Sequence, residues 1–204
     1  MKYQVYGDML SGNCYKIKLL LQWLGIEHEW IHVDVLTRET HTEAFLALNP
    51  NAKIPVLVIE DETGKKEVLT ESNAILNYLA EGTPYLSDSG LARARVLQWQ
   101  FFEQYSHEPY IAVARFINKY QCLPKEREEE YYSKQEGGHK ALKVMEKQLA
   151  AAPFFIGDNP TIADISLYAY THVAHEGGFD LTPYPHIQAW LKRVEQVPGY
   201  VSME

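Results

Sequence analysis

The sequence predicts a two-domain chain, with a mixed α+β domain at residues 1–82 and an all-helical bundle at residues 91–204. Strand and helix patterns alternate through the first domain in the order βαβ-α-ββ-α, whereas later apolar residues recur only at helical spacing. Residues 83–90 are rich in Pro, Ser and Gly, which is the composition of a linker. A change of fold class at this linker is therefore expected.

Each element of the first domain follows from the spacing of its apolar residues. The predicted elements are a strand at 3–6, a helix at 14–24, a strand at 29–35, a helix at 42–48, strands at 56–59 and 67–69, and a helix at 72–81. Gly25 is placed to end the first helix as its C-cap. The first strand, helix and strand form a βαβ unit with a parallel pair, and the whole order is that of the thioredoxin-like fold.

The second domain is predicted to be helical throughout. Its helices are expected at 91–120, 141–150 and 187–194, with a kink or break at Pro109. The charged residues at 125–134 are expected to form a solvated helix face and connection. Thr161 and Asp164 form an S/T-x-x-D capping box that leads into the apolar stretch 165–170. We assign Asp164 to folding rather than to catalysis.

The composition excludes several classes of function. The 204 residues are 46% hydrophobic, which suffices for ordinary buried cores. The net charge of −8 argues against nucleic acid or an anionic membrane as a partner. Cys14 and Cys122 give neither a disulfide framework nor a metal-ligand spacing, and no apolar run is long enough to span a membrane. A cytoplasmic protein without a metal site is expected.

Pro55 stands directly before an apolar, β-branched run. Because proline has no N–H and restricts the residue before it, Ile54 is expected to be extended, with its backbone groups presented outward. An extended peptide could pair with that backbone by strand addition. The alternative is a polar loop that leads into an ordinary strand.

Glu71 and Ser72 precede the last helix of the first domain. Ser72 is a natural N-cap, and a helix N-terminus also binds carboxylates and phosphates. A peptide with an extended middle and an anionic end would fit both this helix start and the Ile54 backbone.

The sequence N-P-x-x-K-I-P-V-L at 49–57, followed by E-S-x-A-I-L-x-Y-L at 71–79, resembles the glutathione-binding half of the soluble glutathione S-transferases. The resemblance implies that Pro55 is cis, that Ile54 pairs with the cysteinyl backbone of glutathione, and that Glu71 and Ser72 hold its γ-glutamyl end. Lys53 and His41 become candidates for binding its glycine carboxylate. Both could instead be solvated surface side chains.

Ser11 lies just before the first predicted helix, where its commonest role is an N-cap. In the family, this position holds the hydroxyl that hydrogen-bonds the glutathione sulfur, and the S-x-N-x-x-K pattern resembles the serine-type bacterial members. The resemblance therefore implies Ser11 as the catalytic thiolate stabiliser, with Asn13 as a second polar contact. Tyr6 is the rival, since other classes use a tyrosine at the end of the first strand. Cys14 shares a face with apolar residues and is expected to be a buried, inert thiol.

For the second substrate, the resemblance points to the face of the long helix of the helical domain above the thiol, and thus to Tyr105, Glu108 and Arg115. Three functions remain open. The chain is expected to conjugate glutathione, as a cosubstrate, to a small hydrophobic electrophile. Alternatively it reduces disulfides or peroxides with glutathione, or it is a non-catalytic partner-binding protein on the same fold. The resemblance also implies a homodimer.

Overall fold

The computed structural model describes residues 1–203, which form two compact units. The first unit comprises Met1–Glu81 and the tail from Pro198 onward, and the second comprises Gly82–Val197. The tail differs from the sequence-based division, which placed it in the helical domain. The Tyr15 hydroxyl donates to the carbonyl of Val201 at 2.8 Å, so the tail packs on the first helix of the first unit. Among the helices of residues 1–203, none combines the length and hydropathy needed to cross a bilayer.

The first unit contains the mixed four-stranded sheet that the sequence predicted, and its strands lie in the order β2-β1-β3-β4. Its strands are β1 (Lys2–Gly7), β2 (Glu29–His32), β3 (Val56–Glu60) and β4 (Lys66–Thr70). β1 and β2 are parallel, and the other neighbours are antiparallel. β2 is shorter than the pattern at 29–35 predicted. Asp34 ends it, because its Oδ1 accepts hydrogen bonds from the N–H groups of Leu36 at 2.7 Å and Thr37 at 3.2 Å and turns the chain.

The helices of the first unit are α1 (Gly12–Leu24), α2 (Glu43–Leu48) and α3 (Ser72–Leu79). Gly25 ends α1 at φ 63°, as predicted for a C-cap. α3 begins at Ser72, as the predicted helix at 72–81 does, but the predicted capping role of Ser72 is wrong. Glu71 occupies the N-cap position, and Ser72 is the first residue of the helix, so Ser72 is not an N-cap.

The two faces of the sheet carry different helices. An added Cβ at Gly7 would lie 2.6 Å from Cys14 Sγ, which places α1 on the Gly7 face of β1. Because side chains alternate along a strand, Tyr6 lies on the opposite face. There it packs against the cluster of Val33, Phe45 and Val56, which α2 helps to cover.

The second unit is helical, as predicted. Its helices are α4 (Gly90–Phe102), α5 (Glu108–Arg115), α6 (Glu128–Leu149), α7 (Ile162–Thr171) and α8 (Pro185–Glu195). A π-helical turn at Glu103–His107 separates α4 from α5 just before Pro109, so the predicted break is present. A second π-helical turn follows α5 at Phe116–Tyr120.

α6 is longer than the helix predicted at 141–150, and it also contains residues 128–134 of the segment predicted to be a solvated helix face and connection. Two glycines inside it, Gly137 and Gly138, are packing positions rather than breaks. An added Cβ would come within 2.1 Å of the Tyr110 ring at Gly137 and within 2.2 Å of the Phe179 ring at Gly138. The helix therefore accepts the conformational cost of glycine so that two aromatic rings can approach its backbone.

Candidate functional site

The loop before β3 presents an unused backbone. The Ile54–Pro55 peptide bond is cis, as the resemblance implied, and Pro55 is buried. Ile54 turns its side chain toward the Val33, Phe45 and Val56 cluster. Within the part of the chain that the structure describes, neither the N–H nor the C=O of Ile54 forms a hydrogen bond. A ligand backbone could therefore take both groups.

Asn49 holds this loop in place through hydrogen bonds of its side chain. Its side chain is buried, and its Nδ2 donates to the carbonyl of Lys53 at 2.7 Å. Its Oδ1 accepts from the N–H of Asn51 at 3.0 Å. The buried amide thus fixes the loop conformation that presents Ile54.

The start of α3 is strained. Glu71 has φ 68° and ψ 112°, a conformation that residues with a Cβ rarely adopt. Such a backbone costs on the order of 1–3 kcal/mol and is typical of ligand-binding sites. The Glu71 side chain is exposed, whereas Ser72 is only 6% exposed. This geometry presents the first N–H groups of α3 beside a hydroxyl and a carboxylate.

Ser11 stands at the N-cap position of α1 but does not cap it through its side chain. Its hydroxyl instead hydrogen-bonds the thiol of Cys14. Burial raises the pKa of Cys14 to about 12, although this hydrogen bond acts in the opposite direction. Cys14 is therefore a thiol rather than a thiolate at neutral pH, as expected for a buried, inert cysteine.

Asn13, Lys16 and Ser72 form a cluster that joins α1 to α3. Lys16 Nζ donates to Asn13 Oδ1 at 2.9 Å, and a longer contact of 3.4 Å joins it to Ser72 Oγ. Ser72 Oγ also donates to Asn13 Oδ1 at 3.3 Å. Asn13, which the resemblance assigned to the cysteinyl sulfur of glutathione, and Ser72, which it assigned to the γ-glutamyl end, are thus connected, although they lie 59 positions apart.

The sequence analysis used Lys16 only as the last position of the S-x-N-x-x-K pattern and assigned it no role. It lies on α1 among apolar residues and is 0% exposed, whereas a lysine at such a position is expected to reach solvent. The available signal was its spacing from Asn13, because residues three apart share a helix face.

Tyr6 lies on the α2 face of the sheet, and the start of α1 lies beyond the other face. The structure therefore separates Tyr6 from Ser11 and Asn13. This placement favours Ser11 over its rival.

The two cationic candidates are both exposed. The Lys53 ammonium forms no ion pair or hydrogen bond with any described residue. His41 Nδ1 lies 3.1 Å from Thr40 Oγ1. Both side chains are open to an anionic ligand, and they differ in that His41 contacts the buried Thr40 whereas Lys53 contacts no buried partner among the described residues.

The three second-substrate candidates of the helical unit lie in different environments. Tyr105 is 87% exposed in the π-helical turn, and Glu108 is the half-buried first residue of α5. Arg115 differs, because its side chain is 3% exposed and forms an ion pair with Glu176. It also lies over the Tyr120 ring, 5.3 Å from its centroid. Arg115 therefore braces the helical unit and offers a substrate almost no surface.

Glu176 also binds Lys119 and, through its carbonyl, Asn118 Nδ2 at 2.8 Å. Hydrogen bonds and charges from Lys119 and Arg115 lower the pKa of Glu176, although burial opposes them. No three His, Cys, Asp or Glu side chains among residues 1–203 lie close enough together to hold a metal ion.

Comparison with known proteins supports the same interpretation. The family model "Glutathione S-transferase, N-terminal domain" matches residues 10–81, and "Glutathione S-transferase, C-terminal domain" matches residues 99–198. The disulfide-bond oxidoreductase YfcG of Escherichia coli is 31% identical over 194 residues, which cover 93% of this chain and 88% of that protein.

Two solved structures show the breadth of the similarity. A glutathione S-transferase from Pseudomonas fluorescens is 61% identical, with a TM-score of 0.94 and coverage of 100% of this chain and 99% of the other. A glutathione transferase from Burkholderia graminis with two glutathione molecules bound per subunit is 26% identical, with a TM-score of 0.84 and coverage of 97% and 85%.

Proposed function

This chain belongs to the glutathione S-transferase family, and we propose that it is an enzyme that conjugates the thiolate of glutathione to small hydrophobic electrophiles. The observation that carries the proposal is the unused backbone of Ile54 beside the cis proline. In the closed interior of a folded protein such groups are nearly always paired. Their availability here supports pairing with a peptide-like ligand.

The arrangement suits each part of glutathione. Ile54 would pair with the cysteinyl N–H and C=O by strand addition. The N–H groups at the start of α3 would bind the γ-glutamyl carboxylate, while the Ser72 hydroxyl and the Glu71 carboxylate would hold the rest of that end, including its ammonium group. Lys53 and His41 would attract the glycine carboxylate from the exposed side.

The thiolate would be stabilised at the start of α1 by the Ser11 hydroxyl and Asn13 Nδ2. Lowering a thiol pKa from about 8.5 by about two units requires about 2.7 kcal/mol of preferential stabilisation of the anion. One hydrogen bond to a charged acceptor supplies about 1.5–3 kcal/mol, and a helix N-terminus adds about 0.3–1 kcal/mol. Two donors at a helix start are therefore sufficient in magnitude.

Reduction of disulfides with glutathione is the second candidate, favoured by the similarity to a disulfide-bond oxidoreductase. The bound thiolate would attack one sulfur of a disulfide, form a mixed disulfide and expel the other sulfur as a thiolate. The thiolate of a second glutathione would then attack the glutathione sulfur of the mixed disulfide, form oxidised glutathione and expel the remaining substrate sulfur as a thiolate. Cys14 does not replace glutathione in this scheme, because it is buried and its pKa is raised to about 12.

A homodimer is also part of the proposal. The second unit exposes several large apolar side chains on and just after α4, namely Leu91, Phe101 and Tyr105. Pairing with a second copy would cover such residues. Sedimentation at micromolar concentration is expected to show twice the 23.5 kDa mass of one chain, and a 23.5 kDa particle would contradict the dimer.

A substrate panel with glutathione always present separates the functions. Turnover of aryl halides is the expected result for a transferase, and turnover of mixed disulfides or hydroperoxides would identify a reductase. Ser11→Ala provides the control, because activity at this site must fall with it. If the protein turns over no member of the panel and binds no glutathione, both enzymatic functions are wrong and a partner-binding role is favoured.

A further inference from the structure

Lys16 is fully buried, whereas the other charged residues described in the first unit are exposed or half-buried. Burying an ammonium is costly unless polar groups receive it. The Asn13 carbonyl oxygen at 2.9 Å and the Ser72 hydroxyl at 3.4 Å both receive it. An apolar side chain would pack here at lower cost. Because burying Lys16 costs stability, we looked for a functional role of its ammonium group in the contacts that it makes.

The contact determines which way the Asn13 amide faces. An ammonium has donors only, so the atom of Asn13 that faces Lys16 must be the carbonyl oxygen. Ser72 Oγ lies against the same oxygen at 3.3 Å, so two groups hold it. The amide nitrogen Nδ2 is consequently turned away from Lys16. Among the described residues it has no hydrogen-bond partner, and Asn13 is half-buried rather than exposed.

We propose that Lys16 is a positioning residue for thiol chemistry, which holds the Asn13 amide so that Nδ2, and not Oδ1, faces the glutathione sulfur. This inference rests on the proposed function. An amide that is free to rotate presents its oxygen as readily as its nitrogen, and an oxygen facing a thiolate repels it. Lys16 removes that alternative.

The same contacts link the site of the cysteinyl sulfur to the site of the γ-glutamyl end of the bound peptide. Ser72 lies at the start of α3, where the γ-glutamyl carboxylate would bind, and its hydroxyl also contacts the oxygen that Lys16 holds. Removal of Lys16 therefore loosens the sulfur donor first, and the carboxylate site only through Ser72. The expected signature is a larger effect on thiol ionisation and kcat than on KM.

The test is the pH titration of glutathione bound to the full chain, followed by thiolate absorbance. Lys16→Met, which keeps the length of the side chain without its donors, is expected to raise the pKa of the bound thiol by about one unit and to lower kcat about tenfold. Lys18→Met is the matched control. Lys18 lies on the same helix and donates to the carbonyl of Ser202 at 3.0 Å, so its loss is expected to leave the titration unchanged.

Two further variants separate positioning from charge and from misfolding. Lys16→Gln removes the charge but keeps an N–H donor for Asn13. It is therefore expected to raise the pKa of the bound thiol by less than Lys16→Met does. Lys16→Met combined with Asn13→Ala is expected to match Asn13→Ala alone, because a residue that acts through Asn13 has no effect without it.

Three outcomes overturn the inference. One is a folded Lys16→Met protein with the thiol pKa of the wild type. Another is a Lys16→Gln protein with the same shift as Lys16→Met, which assigns the effect to charge. The third is a full additional shift in the double variant. A wild-type protein whose bound glutathione has the pKa of free glutathione overturns the proposed function itself, and so differs from all three.

Discussion

Each of the two units has a polar cluster at the start of a helix. The clusters differ in whether one of their polar atoms is available to a ligand. Asp164 at the start of α7 is fully buried, and its two oxygens accept four hydrogen bonds from within the second unit. At the starts of α1 and α3, Asn13 and Ser72 are also connected, but Asn13 Nδ2 is available. A closed polar network stabilises a fold, whereas an open one can bind a ligand.

The backbones differ in the same direction. Thr161 caps α7 at φ −129°, an extended conformation without strain, with the complete capping box that the sequence predicted. Glu71 precedes α3 at φ 68° and caps nothing with its side chain. The strained helix start is therefore the candidate binding site, and the relaxed one is a folding element.

Asp164→Ala is expected to have the largest effect, because it orphans four buried donors, those of the Phe155 backbone, the Thr161 backbone and hydroxyl, and the Trp190 indole. Orphaned donors cost about 1–3 kcal/mol each, so the free energy of unfolding of the second unit should fall by about 4–5 kcal/mol. Urea denaturation measures it. Asn13→Ala is the matched variant and should cost less, about 1–3 kcal/mol, because it removes one of the acceptors of the buried Lys16 ammonium. Equal losses of unfolding free energy in the two variants would contradict the difference between the two clusters.

His172 provides a pH test of the second unit. Burial lowers the pKa of His172 from 6.5 to about 4, so the unfolded chain takes up this proton first as the pH falls. Stability is therefore present above pH 6.5 and is lost as the pH falls from 6.5 to about 4. The loss should reach about 2–3 kcal/mol, read from urea midpoints at several pH values. His172→Gln should flatten this dependence, and the exposed His175→Gln should not. A wild-type profile without the slope would contradict the burial effect.

Ser11→Ala tests the open cluster. It should lower turnover about 10- to 100-fold and raise the pKa of bound glutathione, with little change in glutathione affinity. Cys14→Ala, at the residue directly after Asn13, should lower stability by about 1–2 kcal/mol and leave the titration in place. If Ser11→Ala changes only the melting temperature, Ser11 is structural and Asn13 alone carries the donor role.

Glu71 gives the smallest expected effect. Glu71→Ala and Glu71→Gly both remove the carboxylate and should weaken glutathione binding equally. Only glycine relieves the backbone at φ 68°, so Glu71→Gly should be more stable than Glu71→Ala by about 1 kcal/mol. Thermal denaturation measures the difference. Equal stability would mean that this backbone stores no strain.

Much of this arrangement could be predicted from local sequence. The proline before β3 and the Thr161 to Asp164 box each act through neighbours in the chain, so their structures follow from spacing. α6 was underestimated because Gly137 and Gly138 resemble a break, and only the aromatic rings packed on them explain their presence.

Lys16 and the carboxyl-terminal tail could not be predicted in the same way. Lys16 is buried because α3 brings Ser72 to it, and the tail is bound by side chains of α1 such as Tyr15. Both depend on contacts between distant parts of the chain, which single-sequence periodicity does not contain. Arg115 shows the converse, because the family resemblance suggested that it binds the second substrate, and its side chain is instead buried in an ion pair with Glu176.

The central claim is that the open cluster of the first unit binds glutathione. Calorimetric titration of glutathione into the wild-type protein tests it most directly, with Ser72→Ala as the variant expected to bind more weakly. The account predicts a saturable heat with a dissociation constant between about 1 μM and 1 mM, or about −8 to −4 kcal/mol. No heat of binding at several millimolar glutathione would contradict it.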